Sequence, residues 1–359
     1  MGHRYIGSKT QILEEVIEGI ERIVGANSCV ADLMCGTGAV SGGLKLAGHQ
    51  VVANDIMTYS YHHARVLLEF TKEPVFRGAK KKKMQDERNF LHSLVPLSPY
   101  EEIIDTLNAL KPRKEYFYKE FSQGGIPAAG VLPRNYFSIE NASKIDAIRR
   151  YIAELQDSKH ISKLEYSLLI HDLVMAANDV ANIAGTYGHF LSKLAGRANT
   201  PLILRPTKLH FEKRDIKHVV YQGRAEDVAK KIEADLCYID PPYIKRQYAA
   251  NYHVLETLAR GDHPEAIGIS GLRPWRDQYS NFCTKTKIFK SFEEIITRCK
   301  SRNFLISYSE DGLIKISQLQ EFFSNFGKVK VSQLQNKRFK SNKNGASGSL
   351  TEYLIHIKK

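Results

Sequence analysis

The sequence predicts an open α/β sheet of alternating strands and helices, interrupted midway by a long helical insert. Three observations carry this. Cys29-Val30-Ala31-Asp32-Leu33 is a short apolar run followed by a glycine-bearing turn and an apolar helical stripe. Val51-Val52-Ala53-Asn54 repeats the pattern and ends in Asp55, and Leu236-Cys237-Tyr238-Ile239 is a third such run, closed by Asp240-Pro241-Pro242-Tyr243. Short apolar runs bounded by turn signals read as buried strands, and sheets of this kind place ligands at the carboxyl ends of their strands.

At 359 residues the chain is long enough for one large domain with an insertion, or for two domains. Its 52 Lys and Arg against 39 Asp and Glu give a formal net charge of +13. That excess suits a polyanionic partner, nucleic acid first, although a solvated basic surface gives the same count. The five cysteines form no Cys-x-x-Cys pair, and neither a hydrophobic leader nor an apolar run of membrane-spanning length is present. A reduced, cytoplasmic protein with no membrane partner is expected. The cysteines and histidines show no metal-ligand spacing, so no metal is expected, and His62-His63 reads as an exposed helix face.

At the amino end, Ile12, Leu13, Val16, Ile17, Ile20 and Ile23 share one helix face, with Ser8 as its cap. Lys9 falls in the first turn, the positive end of a helix, where an anion is favoured; a bound carboxylate or phosphate accounts for it, as does plain solvation. A strand over residues 29–33 then leads through the turn to a helix over 39–47, stopped by Gly48. Gly36 and Gly38 let backbone approach a ligand at that helix amino terminus, but a dinucleotide fingerprint has a third glycine, so no pyrophosphate is implied. Asp55 lies about 20 residues on, at the end of the second strand, placed to hold ribose hydroxyls. Capping the helix that begins near Thr58 is the alternative.

From residue 73 to 218 the strand-helix rhythm lapses. Residues 80–83 are a lysine run, read as solvated surface. Ile145, Ile148, Ile152 and Leu155 repeat at helical spacing with Lys144, Arg149 and Arg150 off the stripe; a second helix spans residues 163–180. Basic residues Arg205, Lys208, Lys213, Arg214 and Lys217 follow. A helical insert with basic loops suits phosphate contact and base readout, and equally an inert lobe.

The Asp240-Pro241-Pro242-Tyr243 stretch makes sense as a clamp for a planar amino group. Consecutive prolines fix φ and carry no N–H, so the turn offers carbonyls without competing donors. Asp240 supplies a second acceptor and Tyr243 a flat face for a base. An exocyclic amino group is a poor nucleophile because its lone pair is delocalised into the ring. Two acceptors on its hydrogens favour a pyramidal nitrogen and aim the lone pair at an electrophile, which is transition-state stabilisation by placed dipoles. Taken alone, the motif is equally a proline-rich turn with an Asp cap. Lys245-Arg246-Gln247-Tyr248 follows, with the composition to grip a phosphate or fill the gap left by a displaced base. Residues 303–308 read as a strand, 314–323 as a helix, and 329–334 with 350–357 as an antiparallel pair. Between that pair lies a Lys-, Asn-, Gly- and Ser-rich stretch, 337–349, expected to face phosphate.

With Tyr5-Ile6-Gly7-Ser8-Lys9, Asp32-x-x-x-Gly36-x-Gly38, Asp55 and Asp240-Pro241-Pro242-Tyr243 in this order, the chain resembles the adenine-specific DNA amino-methyltransferases. The long insert resembles the alpha-type arrangement of DNA adenine methylases and restriction-associated modification enzymes. The resemblance implies a Rossmann-like S-adenosylmethionine-dependent methyltransferase sheet over residues 1–72 and 219–359, with 73–218 as a largely helical target-recognition insert. It implies S-adenosyl-L-methionine as cofactor, with Tyr5 and Lys9 near it, Asp32, Gly36 and Gly38 against it, and Asp55 on its ribose. Asp240, with Pro241, Pro242 and Tyr243, then meets the amino group of an adenine flipped out of double-stranded DNA. Arg246, Gln247, Tyr248, Lys208 and Lys340 are the expected DNA contacts. The implied setting is a restriction-modification system, with a cognate restriction endonuclease as partner where one exists.

The chain departs from the family pattern in places. Members often carry a Gly-Asp pair before the catalytic strand to hold the cofactor's adenine; here Gly223 is followed by Arg224, leaving Glu226 or Asp227 as substitutes. Met34 stands for the usual Phe, and Cys35 for a small residue. Other planar amino groups (cytosine's exocyclic amine, an RNA base, a protein glutamine) remain alternatives, as does a non-catalytic DNA-binding module. By resemblance, Ser more often opens the motif in cytosine-type enzymes and Asn in glutamine-type ones.

Overall fold

The computed structural model describes residues 9–78, 96–128, 130–212, 214–337 and 349–359. The Ser8 cap, the Tyr5 and Lys340 contacts, Lys213 and the lysine run at 80–83 lie outside the described residues.

The described strands are β1 (Cys29–Asp32), β2 (Gln50–Asp55), β3 (Val219–Gln222), β4 (Leu236–Ile239), β5 (Asn303–Ser309), β6 (Lys328–Lys337) and β7 (Ser349–Lys358). They form one mixed α/β, Rossmann-like sheet in the order β3-β2-β1-β4-β5-β7-β6. Pairing is parallel from β3 through β5, while β7 runs antiparallel to both β5 and β6. The chain builds outward from β1 to β3, then starts again at β4 and builds the other way. Strand order therefore reverses between β1 and β4, the place where such sheets open a crevice for ligands. Asp32 is in register with Tyr238, and the Leu33 amide donates to the Tyr238 carbonyl at 3.2 Å. Asp32 and Asp240 consequently leave the sheet at the same edge.

Side-chain alternation along the strands builds two apolar layers. Val30, Leu236, Tyr238 and Leu305 pack with Val16, Ile20, Leu44 and Leu68 from the helices Leu13–Val24, Ala39–Leu46 and Thr58–Leu68. Ala31, Cys237, Ile239, Phe304 and Ile306 pack on the other face with Phe292, Ile295, Leu319 and Phe323 from Ile288–Arg298 and Ile316–Ser324. Burial on both faces explains why β1, β2 and β4 read as near-continuous apolar runs. Strand β3 was not read from the sequence: it is only partly buried, and its apolar run Val219-Val220-Tyr221 is bounded by polar residues rather than by a glycine or proline turn next to it. His62 and His63 correct an expectation: they are 7% and 2% exposed, because the helix that carries them also buries Tyr59, Ala64 and Val66.

The chain divides into two compact units. The sheet belongs to Tyr5–Glu69, Arg214–Asn251 and Trp275–Lys359; Phe70–Lys213 groups with Tyr252–Pro274. The helical unit thus differs from the expected 73–218 insert by taking in a later stretch. The reason lies in the helix His253–Arg260, whose Val254, Leu255 and Leu258 are buried. Arg149, off the apolar stripe of Ile139–Asp157, is nevertheless buried: its guanidinium donates to the carbonyls of Leu258 and Arg260. A cation at a helix carboxyl terminus is favourable. Gly261 closes that helix at φ 61°, where a Cβ would meet the Arg149 guanidinium at 2.0 Å. Fully buried Arg134 pairs with Glu120 at 2.6 Å and donates to the carbonyls of Ala266, Gly268 and Ile269. Ser98, Ser138 and Ser162 cap the helices Pro99–Ala109, Ile139–Asp157 and Lys163–Asp179. Among the described residues no helix is long and apolar enough to cross a membrane.

Candidate active site

A cleft that opens to solvent lies at the carboxyl edge of β1, β2 and β4, lined by residues 32–37, 54–57, 223–226 and 240–243 among others. One side is the glycine turn. Gly36 (φ 54°) and Gly38 (φ 75°) adopt left-handed backbone, and a Cβ on Gly38 would meet Leu67 at 2.6 Å. Gly38 opens the helix Ala39–Leu46, so unpaired amides of that helix start beside the cleft.

Asp55 holds this turn in shape. Its Oδ2 accepts the Gly36 amide at 2.8 Å and its Oδ1 the Met57 amide at 2.8 Å. Asp32, 1% exposed, accepts the Ser41 hydroxyl at 2.7 Å through Oδ2, while Oδ1 makes no hydrogen bond among the described residues. Burial pushes its pKa up to about 7; the Ser41 hydrogen bond opposes this and the charges of Asp240 and Asp55 add to it.

Lys9 is not solvated, nor does it await an external anion. It is 3% exposed, with Nζ 2.8 Å from Asp240 Oδ1 and 3.0 Å from Glu352 Oε1. Burial alone would lower its pKa, but the two carboxylates prevail and hold it well above the usual lysine value. Asp240 is pushed up to about 6 by burial, against the lowering effect of Lys9 and with Glu352 adding to the rise. Glu352 is 1% exposed and also accepts the Ser307 hydroxyl at 2.6 Å. Sequence reasoning missed Glu352. The available signal was an acid heading the apolar run 353–355 of a strand, since acids are almost never fully buried unless paired.

The Tyr243 ring packs edge-on against Tyr308, with centroids 5.9 Å apart, and lies 5.5 Å from Lys9 Nζ. Its carbonyl accepts the Leu313 amide at 2.9 Å, which fixes the clamp's far end. Burial raises the Tyr243 hydroxyl to about 12. Beyond the clamp, Arg246 is exposed. The Gln247 amide exchanges two hydrogen bonds with the Ser280 backbone, 2.9 and 2.8 Å long, and the residue lines the cleft. Tyr248 also lines the cleft, at the head of the short helix Tyr248–Asn251.

The opposite wall is formed by residues 223–226 with Tyr279 and Ser280. Of the two acids considered for the cofactor's adenine, Glu226 lines the cleft, whereas the Asp227 side chain is 65% exposed. Glu226 Oε1 is already engaged by the Ser291 hydroxyl at 2.7 Å, and Arg224 donates to the Tyr279 carbonyl at 2.9 Å. In the helical unit, Lys208 is exposed on an extended segment whose Leu202 and Leu204 are buried. The side chains of Asn141 and Asn108 and the hydroxyl of Tyr100 pin this segment through the amides of Leu202, Leu204 and Thr207. Among the described residues no cluster of His, Cys, Asp and Glu is arranged to hold a metal ion.

Residues 5–324 match the family model of the D12 class N6 adenine-specific DNA methyltransferases. The type II methyltransferase M.NlaIII of Neisseria lactamica is 33% identical over 362 residues, with 99% of both proteins covered. The type II methyltransferase M.FokI of Planomicrobium okeanokoites is 32% identical over 360 residues; 99% of this chain covers 52% of that protein, so the chain spans about half its length. The type II methyltransferase M.CviAII of Paramecium bursaria Chlorella virus 1 is 28% identical over 359 residues, covering 98% of this chain and 97% of its own.

Proposed function

The chain belongs to the D12 class N6 adenine-specific DNA methyltransferases, and from that premise we propose that the cleft is the methyl-transfer site and that Asp240 is the acceptor for the target amino group. The chain is a DNA adenine methyltransferase, so the cytosine, RNA-base and glutamine alternatives fall away. The observation that carries the site assignment is the position of Asp240: it lines the cleft, 17% exposed, with Oδ1 held by Lys9, which leaves Oδ2 to accept.

Asp240 and a carbonyl of the Pro241-Pro242 turn take the two amino hydrogens of a flipped adenine, and Tyr243 stacks on its ring. Holding both hydrogens favours the pyramidal nitrogen, whose lone pair is then directed at the methyl carbon. The acceptors are fixed beforehand: Lys9 orients the carboxylate, and the prolines carry no amide that would compete. The nitrogen's surplus proton, acidic once the bond to carbon forms, leaves by way of Asp240 or water.

S-Adenosyl-L-methionine supplies the methyl group as a sulfonium. The cleft fits it in two respects. The glycine turn admits a ligand close to backbone, and the buried Asp32 Oδ1 without a hydrogen bond suits a cationic group. In this reading Asp32, Gly36, Gly38 and Asp55 hold the cofactor, with Glu226 near its adenine.

The helical unit, which contains most of the 73–218 insert, is the target-recognition part, with Lys208 and, beyond the clamp, Arg246 and Tyr248 on DNA. Similarity to M.NlaIII, M.FokI and M.CviAII, all type II methyltransferases by name, supports a role as the modification enzyme of a restriction-modification system, alongside a cognate endonuclease. The test is methylation of random-sequence duplex DNA followed by nucleoside analysis and mapping of modified positions. N6-methyladenine within one short motif is expected, and no N6-methyladenine would overturn the assignment. DNA from cells expressing the chain should also resist cleavage by an endonuclease specific for that motif.

A further inference from the structure

We infer that Glu352, supported by Ser307, is a positioning residue for methyl transfer: it fixes the Lys9 ammonium so that Lys9 in turn fixes the Asp240 carboxylate. This rests on the assignment of Asp240 as acceptor for the target amino group. A lysine ammonium is a point charge on a flexible four-carbon stem, so one contact leaves its location poorly defined. Here it has two anchors of different origin. Asp240 follows β4 at the mouth of the cleft, whereas Glu352 sits on β7, between β5 and β6. Ser307, on β5, is bonded to the same Glu352 oxygen, Oε1, that Lys9 meets, at 2.6 Å against 3.0 Å.

The charge count points the same way. One ammonium meets two carboxylates in a nearly dry site, and a pairing of Lys9 with Asp240 alone would already be neutral. The second carboxylate that Glu352 adds leaves the cluster with one charge uncompensated, and burying that charge costs free energy. Stability alone does not explain such a group, whereas rigid placement of the ammonium does. Among the described residues, the charged and titratable groups facing the cluster are Lys9 from the amino-terminal turn, Asp240 and Tyr238 from β4 and its end, Asp32 from β1, Tyr243 from the clamp, and Glu352 from β7. Of these, Glu352 opposes ionisation of Asp240. Removing its charge should therefore make Asp240 more acidic even as Lys9 loses an anchor.

The experiment is single-turnover methyl transfer to duplex DNA across a pH series, for the parent, Glu352→Gln, Ser307→Ala and Asp240→Ala. A displacement of reacting groups by about 1 Å is enough to cost on the order of 10²-fold, so Glu352→Gln should slow transfer roughly 10- to 100-fold with cofactor and DNA affinities nearly unchanged. Its acid limb should move to lower pH. Ser307→Ala keeps all charges and should slow transfer less; it carries the test should Glu352→Gln fail to fold, and a parental rate for it then overturns the inference. A parental rate in Glu352→Gln overturns it too. So does a slowed rate with an unmoved acid limb and a parallel loss of cofactor affinity, the signature of a merely structural role. Asp240→Ala separates the two levels. If it transfers at the parental rate, the acceptor assignment fails; if it is inactive beside a parental Glu352→Gln, only the role of Glu352 fails.

Discussion

The amide of Gly36 donates to Oδ2 of Asp55 at 2.8 Å, tying the glycine turn after β1 to the end of β2. With Oδ1 taking the Met57 amide, Asp55 needs two acceptor oxygens. Asp55→Asn would face an amide N–H against a backbone N–H and should fail almost as badly as Asp55→Ala. Hydrogen bonds to a charged group contribute about 1.5–3 kcal/mol, so cofactor affinity should fall roughly 10- to 100-fold in both variants. Calorimetric titration with S-adenosyl-L-methionine checks this; parental affinity in Asp55→Asn would show that the turn does not depend on the carboxylate.

Asp240 is pushed up to about 6 by burial, with Lys9 holding it down. Only the carboxylate accepts a hydrogen bond through both oxygens, so single-turnover transfer should rise as pH passes upward through about 6 and then level off. Lys9→Met removes the cation that favours ionisation and should move this limb to higher pH while lowering stability, since two buried carboxylates lose their shared partner. A pH-rate profile with no acid limb between 5 and 7 would contradict the acceptor role.

The Tyr243 ring lies at the clamp, and its hydroxyl makes no hydrogen bond among the described residues. Tyr243→Ala should weaken stacking of the flipped base by about 1–3 kcal/mol, and Tyr243→Phe should be mild. Fluorescence of an adenine analogue at the target position reports the stacking directly. Equal defects in the two variants would place the function in the hydroxyl.

With a formal net charge of +13, binding to duplex DNA should weaken with salt by roughly 0.9 decades per decade of salt for each phosphate neutralised. Lys208→Ala should flatten this slope by about one contact if Lys208 meets a phosphate. Fluorescence anisotropy over a salt series measures both, and a flat response in the parent would sink the electrostatic account.

Arg134 is fully buried and pairs with Glu120 inside the helical unit. Arg134→Met leaves Glu120 buried without its cation, a change that costs about 3–5 kcal/mol. The loss should appear in denaturant unfolding and as faster hydrogen exchange around residues 266–269, where Arg134 holds the carbonyls of Ala266, Gly268 and Ile269. Unaltered stability would mean that Glu120 takes up a proton or water at little cost.

Local chemistry alone determined much of this protein. Apolar runs of three or four residues leading to Asp32, Asp55 and Asp240 announced the central strands, because strands buried on both faces cannot hide their composition. The left-handed turn was legible from Gly36 and Gly38, and the clamp from two prolines between an acid and an aromatic ring. All of these are properties of neighbours in the chain. The tertiary structure decided what depends on distant partners. Lys9 read as a misplaced or solvated cation until the fold brought Asp240 and Glu352, more than two hundred residues away, within 3.0 Å of it. Arg149 and Glu352 sit in the interior only because a helix terminus and an ammonium arrive to meet them. Tyr252–Pro274 joins the helical unit because its apolar side chains are buried there, not because of its place after β4. A buried charge is stable only with its counter-charge, and no spacing rule says where along the chain that counter-charge lies.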